Sequence, residues 1–199
     1  MSGQKTGWFF DQRFNRTFAG KLCVGARVLD LYCYAGAFAI RAAAAGATAV
    51  TAIDRAEAVL ESARYSAKLN GVDAICTFEK AEVFKTLESM GTKNQTFDVV
   101  HCDPPAFVKS KKDLKPGVRG YRKLARGAAH LVAPGGFLVL SSCSHHVDMG
   151  TLLREAGRGI ERAERSARLI QQSGAGPDHP IHPQLPESAY LKCLVFILN

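Results

Sequence analysis

No stretch of this 199-residue chain runs apolar for the length a bilayer demands, and its opening, Met1-Ser2-Gly3-Gln4-Lys5, lacks the apolar core of a secretory signal. A soluble, cytoplasmic protein with no membrane partner is the expectation. None of the six cysteines forms a Cys-x-x-Cys pair, which removes the commonest zinc and dithiol signatures and fits a reducing compartment. Acids are the scarcer charge. Against 26 Lys and Arg stand 18 Asp and Glu, and the formal net charge of +8 favours a polyanionic partner. Internal repeats and low-complexity tracts are missing as well. A chain 47% hydrophobic and 22% charged has enough material for one compact domain, residues 1–199, and too little for two.

Strand-like and helix-like runs alternate along it. Strands are predicted over residues 27–33, 49–54, 75–80, 97–103 and 137–142, with helices over 36–45, 56–69, 83–90 and 121–132 between them. A helix over 149–163, a strand at 168–170, a Pro/His/Gly-rich loop over 174–186 and a last strand over 190–198 follow. Helices of this length between strands make right-handed βαβ crossovers, hence an α/β fold with a doubly wound, mostly parallel seven-stranded sheet. The last strand is expected to run antiparallel at the sheet edge.

The chemistry centres on Asp103-Pro104-Pro105-Ala106-Phe107, which ends the apolar run Phe97-Asp98-Val99-Val100-His101-Cys102. Proline cannot donate to a ladder, so the carboxyl end of this strand stays open, and ligands of α/β sheets bind beyond such ends. The turn after the first strand reads Asp30-Leu31-Tyr32-Cys33-Tyr34-Ala35-Gly36, without the Gly-x-Gly-x-x-Gly that a dinucleotide pyrophosphate needs. An acid at Asp30 repels a pyrophosphate yet suits the α-ammonium of an amino acid. Asp54, roughly 20 residues on at the end of the second strand, suits a ribose diol. Adenosine joined to an amino acid is S-adenosylmethionine, with Tyr34 and Gly36 in the turn beside it and Glu82 in reach of the adenine amine. Glu82 reads equally well as a helix N-cap.

Cys143, in Leu140-Ser141-Ser142-Cys143-Ser144-His145-His146, emerges at the same sheet edge as Asp103, and its position after two serines argues for exposure. A thiol beside an acid and a methyl donor suits methylation of a pyrimidine at C5: the thiolate adds at C6, C5 attacks the methyl, the C5 proton leaves and the thiol is eliminated. Asp103 holds or protonates the base edge, for instance N3 of cytosine. Cys33, Cys76, Cys102 and Cys193 read as structural thiols. No metal is expected, because adjacent His145 and His146 point to opposite sides of a strand and no second ligand pair is at hand. His179 and His182 read as loop residues. Between the fourth strand and its helix, Lys109, Lys111, Lys112, Lys115, Arg119, Arg122, Lys123 and Arg126 face one acid, Asp113. That segment suits phosphates, with Phe107 or Tyr121 stacking on a splayed base.

These pieces together resemble the class I S-adenosylmethionine-dependent RNA methyltransferases, and among them the family that makes 5-methylcytosine in large-subunit ribosomal RNA. The matching residues are Lys5 to Arg13 with Asn15-Arg16, Asp30 to Phe38, Asp54, Glu82-Val83-Phe84, Asp103 to Phe107, Arg119-Gly120-Tyr121, Ser142-Cys143-Ser144, Pro186-Glu187 and Tyr190-Leu191-Lys192. The resemblance implies a Rossmann-like methyltransferase fold and ribosomal RNA as partner. It makes Cys143 the nucleophile, with Asp103 beside it, and puts Asp30, Asp54, Glu82 and Asp103 in the cofactor pocket, closed by Gln12 and Arg13. Pro104, Pro105, Phe107, Lys109, Arg119 and Tyr121 fall on the substrate side. Glu82 stands where aspartate is more usual. Family members resemble a three-part chain with an RNA-binding PUA module and a β-domain in front, so a fragment or stand-alone catalytic domain is expected here. Amino-group methylation of adenine or guanine, a non-catalytic RNA-binding partner and a homodimer are the alternatives left open.

Overall fold

Aliphatic runs that stop at an acid or a turn become the strands of this protein, and the alanine-rich or side-chain-capped segments between them become its helices. The computed structural model describes residues 8–199, so Lys5-Thr6-Gly7 lie outside the described residues. The elements are α1 (Arg13–Lys21), β1 (Arg27–Leu31), α2 (Ala37–Ala44), β2 (Ala49–Asp54), α3 (Glu57–Leu69), β3 (Cys76–Lys80), α4 (Val83–Thr92), β4 (Phe97–Cys102), α5 (Leu114–Leu131), β5 (Val132–Ser142), α6 (Met149–Glu161), β6 (Ala167–Ser173) and β7 (Lys192–Leu198). No described helix is long and apolar enough to cross a membrane.

Seven strands form one mixed sheet in the order β3-β2-β1-β4-β5-β7-β6. Strands β1 to β5 pair in parallel, while β7 runs antiparallel to both β5 and β6. This is the doubly wound α/β class that the alternation predicts, with one correction: β7 lies inside the sheet and β6 forms the edge. Burial is the reason. Cys193, Leu194, Val195, Phe196 and Leu198 are all buried, as an interior strand requires, whereas most of Ala167 to Ile170 on β6 is exposed. On one face α4, α5 and α6 pack a core around Leu124, Leu131, Leu138 and Leu152. On the other, α1, α2 and α3 use small residues such as Ala39, Ala42, Ala43 and Ala63 to lie close to the strands.

Two boundaries differ from expectation for local reasons. Helix α5 starts at Leu114, not near Tyr121, because Ser110 and Asp113 form a capping box that launches a 3-10 turn into it. Pro116 then sits in the first turn, where its missing N–H costs nothing. Lys115 and Arg119 therefore ride on the same helix as Arg122, Lys123 and Arg126 instead of on a loop. Pro134-Gly135-Gly136 lies within β5, whose pairing with β4 slips register there. Helix α1, unforeseen from the periodicity, carries Asn15 and Arg16 inward.

Candidate active site

The chain winds from β1 outward to β3, then returns to place β4 on the other side of β1. Such a reversal opens a crevice at the carboxyl ends of β1 and β4, where Asp103 and the turn after β1 meet. Three residues of that turn adopt left-handed backbone: Tyr32 at φ 63°, Tyr34 at φ 49° and Gly36 at φ 78°. Tyrosine tolerates this poorly, so the surroundings must hold it. Asp54 does so: its Oδ2 accepts from Tyr34 N at 3.0 Å and its Oδ1 from Ala56 N at 3.0 Å. Gly36 has no room for a side chain, since a Cβ would lie 2.9 Å from that of Ala63.

Asp30 does not face the crevice. Only 1% exposed, it meets His101 Nδ1 at 2.7 Å through Oδ1 and accepts from Ala39 N at 3.0 Å through Oδ2. The strand register sets Asp30 directly beside His101, so its carboxylate ties β1, β4 and the start of α2 together. The expected contact with a ligand ammonium is corrected accordingly. Asp103, half-buried, is the open acid: Oδ2 accepts from Gln12 Nε2 at 3.0 Å, and Oδ1 has no partner among the described residues. Burial pushes its carboxyl up to about 6, with the charge of Asp30 adding to the rise. A relay fixes the Gln12 amide, because Asn15 Nδ2 donates to Gln12 Oε1 at 2.7 Å while Asn15 Oδ1 accepts from Ser173 Oγ at 2.9 Å. Arg13 instead pairs with Asp178 at 3.2 Å. Glu82 caps α4, accepting from Phe84 N and Lys85 N at 3.2 and 2.9 Å.

Cys143 follows β5 and is half-buried. Its flanking serines are locked, since Ser142 Oγ donates to the Tyr121 hydroxyl at 2.8 Å and Ser144 Oγ meets the same hydroxyl at 2.9 Å. Ser144 Oγ also accepts from Val108 N at 3.2 Å, which joins the thiol turn to the loop that carries Asp103. Tyr121 is 0% exposed and packs on Phe107 at 4.8 Å between ring centroids. It has no open face for a base, and its expected stacking role is corrected to that of a support. Pro104 is buried and Pro105 exposed. Burial, then the charge of Asp103, raises the Cys143 thiol above its ordinary range. Cys23, Cys33, Cys102 and Cys193 are buried outright, and desolvation raises each. No group of three metal-ligating side chains occurs among the described residues.

One neighbour of the thiol escaped the reading of single motifs. Lys192, directly across β5–β7 from Ser142, is 4% exposed, and its Nζ donates to Ser144 O and Tyr190 O, each at 2.6 Å. Only the residue type and its place after Tyr190-Leu191 were visible in the sequence.

A family model described as S-adenosylmethionine-dependent methyltransferase matches residues 2–197. The chain belongs to that family. Ribosomal RNA large subunit methyltransferase I of Aeromonas hydrophila is 39% identical over 195 residues, 98% of this methyltransferase and 49% of the relative. The protein of the same name from Shewanella amazonensis is 38% identical over 194 residues, 97% and 49% of the two chains. The methyltransferase thus spans about half the length of these curated relatives. A solved Streptococcus mutans structure described as a SAM-dependent methyltransferase superposes with a TM-score of 0.87 at 25% identity, covering 98% of this chain and 51% of the other. Trm5b from Pyrococcus abyssi shares the fold at a TM-score of 0.70 and 14% identity, covering 96% and 50%.

The cofactor of the methyltransferase is S-adenosylmethionine, and the donor set fits it. Each Asp54 oxygen keeps a lone pair for a hydroxyl, and Asp103 Oδ1 is an acceptor without a partner among the described residues. Between β4 and the middle of α5, Lys109, Lys111, Lys112, Lys115, Arg119, Lys123 and Arg126 are exposed, while Asp113 is spent on its cap. Arg122 differs, being held by Glu155 of α6 at 2.7 Å through Nε.

Proposed function

We propose that this methyltransferase acts on C5 of a cytosine in RNA, with large-subunit ribosomal RNA as the substrate class and Cys143 as the nucleophile. The observation that carries the proposal is the hydrogen-bonded bridge from Val108 through Ser144 and Tyr121 to Ser142, which fixes the Cys143 turn against the Asp103 loop. A target base between them meets a sulfur and a carboxyl at once. The names of the curated relatives support ribosomal RNA as substrate.

When bound, S-adenosylmethionine supplies an electrophilic methyl group. Asp54 accepts the ribose hydroxyls and Asp103 Oδ1 the ligand ammonium, in place of the buried Asp30. As a carboxylate Asp103 can also accept from N3 of the base as that nitrogen takes up a proton, drawing charge from C6 as sulfur adds. The cationic start of α5 takes the RNA backbone through exposed Lys111, Lys112, Lys115 and Arg119. Phe107, half-buried at the crevice, is the aromatic that remains able to border the base.

The test is Cys143→Ala. Methyl transfer to RNA should fall by at least about a thousandfold, the scale for removing a nucleophile, while calorimetric affinity for S-adenosylmethionine persists. Nucleoside mass analysis of wild-type product should give 5-methylcytidine. The raised Cys143 thiol favours a second reading, amino-group methylation of adenine or guanine, in which no thiol is needed. A methylated purine amine, formed equally by the alanine variant, would establish it.

A further inference from the structure

We propose that Lys192 is the positioning residue that activates Cys143, accepting the thiol proton and then standing as the counter-charge to the thiolate. The proposal deepens the cytosine reading and rests on it for its catalytic meaning.

A buried lysine normally has a carboxylate partner, because an isolated ammonium is costly to desolvate. Lys192 has none. Its two hydrogen bonds go to backbone carbonyls, one of them that of Ser144, the residue after the thiol. The atom count is informative: a neutral amine has two N–H donors and one lone pair, and the two carbonyls use both donors. The lone pair is left for a proton. The carbonyl that holds the amine belongs to Ser144, the residue after Cys143, and the charges of Cys143 and, more weakly, Asp148 act on Lys192, while those of Asp103 and Asp11 oppose ionisation of the thiol. Tyr190, beside the amine, gives its hydroxyl to Asp11 at 2.6 Å. Burial pushes Lys192 down to about 8, so near neutrality a useful fraction is unprotonated.

The step balances within the protein. The Cys143 S–H bond breaks as an N–H bond forms on Lys192, giving a thiolate and an ammonium. The sulfur pair then forms the S–C6 bond. After C5 has taken the methyl group and given its proton to solvent water, the C5–C6 double bond re-forms, and S–C6 cleavage returns the pair to sulfur, which recovers its proton from the ammonium.

Alkylation of Cys143 by iodoacetamide, followed across pH by peptide mass mapping, reads this without RNA or turnover. Lys192→Met should move the midpoint of Cys143 alkylation up by about one pH unit and slow it about tenfold at neutral pH. Lys192→Arg keeps the charge but cannot accept a proton, so the profile should lose its step near the amine's titration while most of the thiolate stabilisation returns. Calorimetric cofactor binding verifies that each variant is folded, and should the methionine variant not fold, the arginine variant decides. Alkylation profiles matching wild type in the folded variants would overturn the proposal. Unaltered 5-methylcytidine formation by Cys143→Ala sinks the nucleophile role of Cys143 instead and leaves the alkylation result standing.

Discussion

Replacing Tyr121 by phenylalanine separates two roles that a ring beside a crevice can play. Stacking on a base survives the change, because the aromatic face is kept. The hydroxyl network does not survive, since one oxygen serves both Ser142 and Ser144. Each buried hydrogen bond contributes about 0.5–1.5 kcal/mol net, so losing the two costs roughly 1–3 kcal/mol. For a chain of this size each kcal/mol lowers the melting temperature by about 2–4 °C, hence a fall of roughly 2–12 °C. Because the serines flank Cys143, methyl transfer should suffer more than affinity: kcat is expected to drop about tenfold or more, with the Kd for S-adenosylmethionine within about twofold of wild type. Scanning calorimetry, titration calorimetry and single-turnover transfer to RNA measure the three quantities. Wild-type melting and turnover in Tyr121→Phe would refute the support role.

Gly117→Ala sets a Cβ 2.6 Å from the Phe107 carbonyl oxygen, so the Asp103 loop must lift from α5; a loss of about 1–3 kcal/mol in urea unfolding and reduced turnover are expected, and an unaffected enzyme would show that the loop yields freely. The Asp103 carboxyl, raised to about 6 when folded, binds its proton more tightly there than in the unfolded chain. Its contribution to stability is therefore fully present in acid below the unfolded value and declines as pH rises through about 6, and Asp103→Asn should flatten this part of the stability profile from pH 4 to 7. An unchanged profile in that variant would show that the carboxyl titrates normally.

Much of the sheet could be read directly because its strands are short aliphatic runs bounded by acids and turns, and the strand ending at Asp103 pointed to the crevice without further help. Asp30 was harder. An acid near a strand end can turn toward solvent or toward a neighbouring strand, and the register that sets it against His101 depends on β4, some 70 residues away in sequence. Tyr121 misled for a related reason: an aromatic amid basic residues suggests a nucleic-acid surface, but the capping box at Ser110 starts α5 early and rotates that ring onto the serines. The relay from Ser173 to Gln12 and the place of Lys192 both need the β6–β7 pair folded back beside β5. Nothing in the spacing of single motifs encodes that return.

The strand that separates β5 from β6 is synthesised after both of them. Until β7 slides between its two older neighbours, the inner ladder of β5 has no partner and the thiol turn has no lysine beneath it. Closure over such a separation in sequence is intrinsically slow. On the proposed role of Lys192, docking of β7 both completes the sheet and brings the amine to the Cys143 turn.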